Sequence, residues 1–172
     1  MSPRQVLREK KAHCIEGALL AAVALRLRGH PPLIVDMMAS REDDDHVIAV
    51  FKKGSRWGAL TKSNHASLRY REPIYRDIRE LVLSFFHEYF LNSNGKKTLR
   101  SFSQPVDLRR FDKQGWMSFE DDVWFIPEYL TQIRHEKILT PQLVRGLRKV
   151  DPIELKTGAI VEYSRSEHAK PL

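Results

Sequence analysis

The sequence predicts an α+β fold, in which a buried helix near the amino terminus carries a cysteine and packs on an antiparallel sheet. Three observations support this prediction. A nearly continuous apolar run follows Cys14 and ends at Arg26. Two short apolar segments, 33–38 and 46–52, come next, and Lys53-Gly54 separates the second from a third, 56–61. Short apolar segments bounded by turn residues are typical of strands. A helix followed by consecutive strands favours an α+β arrangement.

The length of the chain bounds its organisation. At 172 residues it is long enough for one domain with a hydrophobic core. The fractions of apolar and charged residues are those of a globular protein. We expect residues 1–95 to form the core of the fold. Residues 96–172 are expected to form a mainly helical extension that packs on the same domain.

The first long helix is predicted from about Cys14 to Arg28, after a short helix in residues 3–11. Its apolar residues recur at helical spacing, and the opposite face is apolar as well. A helix that is apolar on all sides is normally buried on all sides. Gly29, directly after Arg28, is a common helix end.

The three predicted strands follow in order. Pro31-Pro32 favours an extended entry into the strand 33–38. A charged loop, residues 40–45, leads to His46, which opens the second strand. Trp57 lies in the third strand beside Gly58, which lets a neighbouring chain approach closely. We therefore expect Trp57 to be at least half buried near the hairpin and to contribute to substrate binding.

The rest of the chain is predicted with less regular patterns. Residues 61–75 form a polar connection, and 77–91 form an amphipathic helix with an aromatic stripe. A strand is expected at 98–102, helices at 127–135 and 140–149, and a final strand or hairpin at 153–163.

Cys14 and His46 are the candidate catalytic residues. A helix start favours a thiolate, and a nearby imidazolium lowers the pKa of the thiol further. We therefore expect a thiolate–imidazolium pair, in which the pKa of Cys14 is lowered and that of His46 is raised. The nearest residue that could orient the imidazole through its amide is Asn64, and Thr61 is the alternative. His65 is a second candidate base, although its interpretation as a surface histidine is favoured.

With a cysteine on a helix and a histidine at the start of a following antiparallel strand, the chain resembles the transglutaminase-like cysteine enzymes. The resemblance covers roughly residues 11–64. It implies acyl transfer or amide hydrolysis through a thioester on Cys14, with a peptide or amide as substrate. In that family an acidic or amide residue follows on the next strand. Here Trp57 is followed by Gly58 to Thr61, so Asn64 is the residue carried over to the third position.

Other functions are weighed against this one. A binding or scaffold protein with a degenerate site is the main alternative. The net charge of +7 would suit nucleic acid, but acidic residues interrupt most basic clusters, which favours a solvated surface. Three aspartates precede His46, yet their spacing with Cys14 is not that of a zinc site, and we expect no metal and no cofactor.

The expected location is the cytoplasm. The single cysteine excludes an internal disulfide and is typical of a reducing compartment. The apolar run 15–25 contains Glu16, ends at Arg26, and has no small-residue cleavage site after it. It is therefore interpreted as a core helix, and neither as a secretion signal nor as a membrane span.

Overall fold

The computed structural model describes residues 1–162. Its centre is an antiparallel sheet of seven strands in the order β4-β3-β2-β1-β5-β7, with β6 paired to β1. The strands are β1 (Leu33–Ala39), β2 (His46–Lys53), β3 (Arg56–Leu60), β4 (Arg71–Tyr75), β5 (Leu99–Ser103), β6 (Val106–Asp107) and β7 (His135–Lys137). The α-helices are α1 (Pro3–Glu9), α2 (Cys14–Leu27), α3 (Ile78–Leu83), α4 (Phe125–Gln132), α5 (Pro141–Arg145) and α6 (Pro152–Gly158). The α+β prediction is thereby confirmed at the level of class and sheet type.

Each face of the sheet carries its own hydrophobic core. The apolar side chains of α2 and α4 pack with Ile34, Val47 and Ala49 on one face. Those of α3 pack with Val35, Ile48 and Val50 on the other. The alternation follows from the pleat, which points successive side chains to opposite faces. Strand β2 is apolar at consecutive positions because it is covered on both sides.

Helix α2 begins at Cys14 because the preceding turn is capped. The backbone N–H of His13 donates to Glu16 Oε2 at 2.7 Å, and the amino terminus of Met1 lies 2.9 Å from Glu16 Oε1. The composition of α2 predicts a helix that is buried on all sides, and this prediction is wrong. Its buried stripe is Ala18, Leu19, Ala22 and Leu25, whereas Leu27 is 84% exposed, because only one side of α2 contacts the sheet.

The predicted hairpin of β2 and β3 is confirmed. Lys53 pairs with Arg56 and Ala49 pairs with Leu60, so the two strands run antiparallel from the turn. Gly54 has a φ of 60° at that turn, a conformation that glycine adopts readily. His46 lies at the far end of β2, opposite Met37 of β1.

Two predictions between residues 61 and 91 are wrong in part. Strand β4 was missed because it is a mixed polar segment at the edge of the sheet, where Pro73 is tolerated. The helix predicted over 77–91 ends at Leu83, and a short 3-10 helix follows at Phe86–Glu88. It stops because the chain turns back: the carbonyl of Tyr89 accepts from the N–H of Thr98, and Phe90 pairs with Lys97.

The segment after Gly95 is less helical than predicted. It supplies β5, β6 and β7, and β5 pairs directly with the central strand β1. The predicted strand 98–102 is confirmed as β5, and the two predicted helices are present as the shorter α4 and α5. A second 3-10 helix spans Leu108–Gln114.

The strand or hairpin predicted over 153–163 is wrong, since the chain forms α6 there, although Tyr163 lies outside the described residues. The reason is local: Asp151 caps the helix, Glu154 bonds back to its N–H at 2.7 Å, and Pro152 occupies the first turn. Across residues 1–162, none of the helices combines the length and the apolar character that crossing a membrane requires.

Candidate active site

Cys14 and His46 line the same cavity, which has a volume of about 430 Å³. Cys14 is the first residue of α2, and His46 is the first residue of β2. Because α2 packs along β2, the starts of these two elements meet at one end of the sheet. Lys62, Asn64 and Tyr89 line the cavity as well.

The imidazole of His46 is buried and contacts the hydroxyl of Thr61. His46 is 7% exposed, and its Nε2 lies 2.6 Å from Thr61 Oγ1. Burial first, and the positive charge of Lys62 second, lower the pKa of His46 to about 4. The ring is therefore neutral at physiological pH, the opposite of the raised pKa that the sequence suggested.

The thiol of Cys14 is also held in its neutral form. Burial raises the pKa of Cys14, although the backbone N–H groups of Val47 and Ile15 favour the thiolate. Sγ lies 3.8 Å from the backbone carbonyl oxygen of Asp45, to which it donates. Both pKa directions are therefore opposite to those expected of a thiolate–imidazolium pair, because loss of water around each group favours its neutral form.

Of the two residues considered for orienting the imidazole, Thr61 contacts the ring. Asn64 Oδ1 instead accepts a hydrogen bond from Lys62 Nζ. The backbone carbonyl of Asn64 accepts from the N–H of Glu162 at 2.8 Å, so Asn64 joins the cavity wall to the segment after α6. Thr61 follows directly after β3, and its place beside β2 brings its hydroxyl to His46.

His65 and Trp57 have other environments. His65 lines the cavity, but Nδ1 lies 2.8 Å from the carbonyl oxygen of Gly158, and Asn92 donates to the same oxygen at 3.0 Å. Trp57 is partly buried, as expected, but pairs with Lys52 near the hairpin turn. Lys52 is six positions after His46 along β2, a distance of about 20 Å in a strand. Trp57 is accordingly absent from the residues around the cavity and does not enter the proposed function.

The aspartates before His46 shape the loop that carries it. Asp45 Oδ1 accepts from the N–H of Ala39 at 2.7 Å, and Asp43 Oδ2 accepts from the hydroxyl of Thr98 at 2.5 Å. The hydroxyl of Tyr89 donates to the carbonyl of Asp44 at 2.6 Å. Tyr89 lies in the aromatic stripe of the helix predicted over 77–91, and that pattern does not indicate this contact. Within residues 1–162, no group of three or more His, Cys, Asp or Glu side chains is arranged to hold a metal ion.

A second ionisable pair lies in the same half of the sheet. Asp36 of β1 is buried, the side chain of His135 of β7 is 9% exposed, and Asp36 Oδ2 lies 2.9 Å from His135 Nε2. His135 Nδ1 lies 3.0 Å from the carbonyl oxygen of Ile133, which can only accept. Burial raises the pKa of Asp36, while His135 opposes that change. No spacing in the sequence links these two residues, which are 99 positions apart.

Two comparisons with known proteins were made. No family model matches the chain, and the search of the curated proteins finds no match. The functional argument therefore rests on the residues of the site.

Proposed function

We propose that this chain is a transglutaminase-like cysteine enzyme, which transfers an acyl group or hydrolyses an amide through a thioester on Cys14. The observation that carries the proposal is the shared cavity of Cys14 and His46, each at the first residue of its element. A nucleophile and a base that open into one cavity are the minimum that covalent acyl chemistry requires.

With both groups neutral, the role open to His46 is that of a general base and not that of an ion-pair partner. His46, neutral above a pKa of about 4, would take the proton of Cys14 as the sulfur attacks the substrate carbonyl. The backbone N–H of Cys14 at the helix start would help stabilise the oxyanion of the tetrahedral intermediate. The imidazolium would then return the proton to the leaving amine, which leaves a thioester. Water releases the acid from that thioester, and an amine gives a new amide.

Thr61 would act as a positioning residue in this mechanism. Its hydroxyl forms a hydrogen bond with Nε2 of His46, so Nδ1 is the ring nitrogen that is available for proton transfer. Nδ1 can accept a proton only when Nε2 carries its own hydrogen and donates it to Thr61 Oγ1. The hydroxyl would therefore select the tautomer that a base needs, as the third residue of a triad does.

A binding or scaffold protein with an inactive site is the second candidate. One observation favours it: burial raises the pKa of Cys14, which disfavours the reactive thiolate. The two candidates differ in whether His46 accelerates acylation of Cys14.

Acylation by a small activated ester, such as p-nitrophenyl acetate, tests the proposal. The expected result is a burst of p-nitrophenol equal to one acyl group per chain, with the acyl group located on Cys14 by mass spectrometry. Cys14→Ala should abolish the burst, and His46→Ala should slow it by about 100-fold, the lower end of general-base contributions. Equal acylation rates for wild type and His46→Ala would reject the enzyme and leave the scaffold.

A further inference from the structure

The cavity of Cys14 contains a second histidine that is held in its wall. His65 lines this cavity together with His46, and both His65 and Cys14 are partly exposed, so water reaches them. His13 lines the cavity as well, but it is exposed at the start of α2. The acylation step uses His46 and leaves His65 without a role.

One hydrogen bond fixes the tautomer of the His65 ring. Nδ1 lies 2.8 Å from the carbonyl oxygen of Gly158, which can only accept, so Nδ1 carries the hydrogen of the neutral ring. Asn92 Nδ2 donates to the same oxygen at 3.0 Å, and its distance of 3.5 Å from Nδ1 makes it the poorer partner of that nitrogen. Across residues 1–162 the hydrogen bonds of the ring are those at Nδ1, which leaves the lone pair of Nε2 for a proton.

The backbone around His65 is fixed on both sides. The carbonyl of Asn64 accepts from the N–H of Glu162 at 2.8 Å, and the N–H of Ala66 donates to the carbonyl of Ile160 at 3.0 Å. These two bonds pair the chain around His65 with the segment after α6. The imidazole therefore has a set position in the cavity wall, as a catalytic base requires.

Release of an acyl group from Cys14 needs a stronger base than His46. Water is a far weaker acid than a thiol, and a ring whose pKa is about 4 gains little by taking a proton from it. The hydroxyl of Thr61 also holds Nε2 of His46. A second imidazole with a free ring nitrogen can supply the base that this step lacks.

We propose that His65 is the general base of the second half of the reaction, in which water or an amine attacks the thioester on Cys14. The inference rests on the proposed function, because the thioester is the reactant. The oxygen of water forms a bond to the thioester carbon while Nε2 of His65 takes one of the protons of that water. The C–S bond then breaks, the sulfur leaves with the electron pair and takes up a proton from solvent, and His65 returns its proton to solvent. An attacking amine loses its proton to the same nitrogen and gives an amide.

Loss of an acetyl group from Cys14 measures this step alone. Excess p-nitrophenyl acetate loads the thiol with time whether or not a base assists, the ester is then removed, and mass spectrometry follows the acetyl group that remains. In His65→Asn the amide nitrogen takes the place of Nδ1 and keeps a donor for Gly158, while Nε2 is lost. The matched control is His87→Asn, the same change at an exposed histidine that does not line the cavity.

We expect His65→Asn to lose the acetyl group about 100-fold more slowly than wild type, the lower end of general-base contributions. The acylation burst should keep its rate within about twofold, because His46 is the base of that step. His87→Asn should match wild type in both measurements. Hydroxylamine attacks thioesters with little help from a base, so it should remove the acetyl group from wild type and His65→Asn at similar rates.

Equal loss of the acetyl group from wild type and His65→Asn overturns the inference, as does an equal slowing in His87→Asn. A slower hydroxylamine reaction in His65→Asn also overturns it, since the thioester would then be less accessible. The proposed function is judged separately, by the effect of His46→Ala on acylation. Acylation that depends on His46, with acetyl loss that does not depend on His65, refutes this inference alone. The reverse outcome supports His65 as a base and rejects acylation by Cys14 and His46.

Discussion

His46 Nε2 lies 2.6 Å from Thr61 Oγ1, so the imidazole is held by the hydroxyl that follows directly after β3. The strand pairing produces this contact: Ala49 is opposite Leu60, which sets Thr61 beside the start of β2. A hydroxyl can donate or accept, whereas a carboxylate in this place would only accept and would favour the imidazolium. Within residues 1–162 the side chain that bonds the ring is the hydroxyl of Thr61 and not a carboxylate, which agrees with the low pKa of His46.

Replacing Thr61 with Val tests the positioning role. The change keeps the shape of the side chain but removes the partner of Nε2, so the ring loses its fixed tautomer. We expect acylation of Cys14 by the small ester to slow about tenfold, a modest share of the 10²–10⁴ that general-base catalysis contributes. Thr61→Ser restores the hydroxyl and should recover most of the rate.

The same measurement separates Thr61 from Asn64. Because Asn64 Oδ1 contacts Lys62 and not the ring, Asn64→Ala should slow acylation less than Thr61→Val. The reverse order would assign the orienting role to Asn64 and contradict the contact with Thr61 as the functional one.

The pH dependence of stability follows from the buried imidazole of His46. Its pKa is about 4 in the folded chain and about 6.5 when unfolded. The unfolded state therefore binds more protons between these values, and stability falls as pH drops from 6.5 towards 4. A difference of 2.5 units corresponds to about 3 kcal/mol of unfolding free energy at pH 4 relative to pH 7.

Urea denaturation at several pH values measures this effect. His46→Gln cannot titrate and should remove most of the loss on acidification. Parallel curves of unfolding free energy against pH for wild type and His46→Gln would show that the imidazole is accessible to protons in the folded state.

How far the sequence predicts this fold depends on the element. Helix α2 and strands β1 to β3 have strong apolar patterns bounded by Pro, Gly and charged residues, and all four are where they were predicted. Strand β4 has no such pattern because it lies at an edge, and only its pairing with β3 defines it. The apolar spacing of 153–163 was ambiguous, and the capping box of Asp151 and Glu154 determined the helix.

The candidate site was predictable only in part. Cys14 begins a helix and His46 begins a strand, and the sequence pattern predicts both of these element starts. The sequence pattern does not predict the charge state of the two side chains, because that state depends on how much water each group loses on folding. The contact of Tyr89 with the loop before His46 is likewise set by the turn between Tyr89 and Thr98, which no periodicity indicates.

Trp57 tests the packing of the hairpin. It is partly buried against the core that includes α3, and Lys52 Nζ lies 4.6 Å from the centre of its ring. Trp57→Ala should lower the unfolding free energy by about 2 kcal/mol, below the 3–5 kcal/mol typical of fully buried aromatic residues. Trp116, which is 0% exposed, provides the comparison. A melting temperature unchanged by Trp57→Ala would contradict its role in the core, and a larger loss than for Trp116→Ala would contradict the burial argument.

The last prediction concerns the buried pair of Asp36 and His135. His135 Nδ1 must donate its hydrogen to the carbonyl of Ile133, so one further proton is shared between Nε2 and Asp36 Oδ2. The backbone N–H of Asp36 also donates to Ser103 Oγ at 3.0 Å, which ties the pair to the junction of β1 and β5. This pair joins the strand after α4 to the centre of the sheet.

Removing both members should destabilise the chain by less than the sum of the two single losses. Asp36→Ala leaves a buried imidazole without its partner, and we expect a loss of about 3 kcal/mol. The double variant Asp36→Ala, His135→Ala should lose less than the sum of the two single variants, by about 1–3 kcal/mol, because neither residue is then left unpaired. Denaturation of the four chains in urea gives this coupling energy. Additive losses would mean that the two side chains contribute independently, through packing alone, and that no shared proton holds β7 to β1.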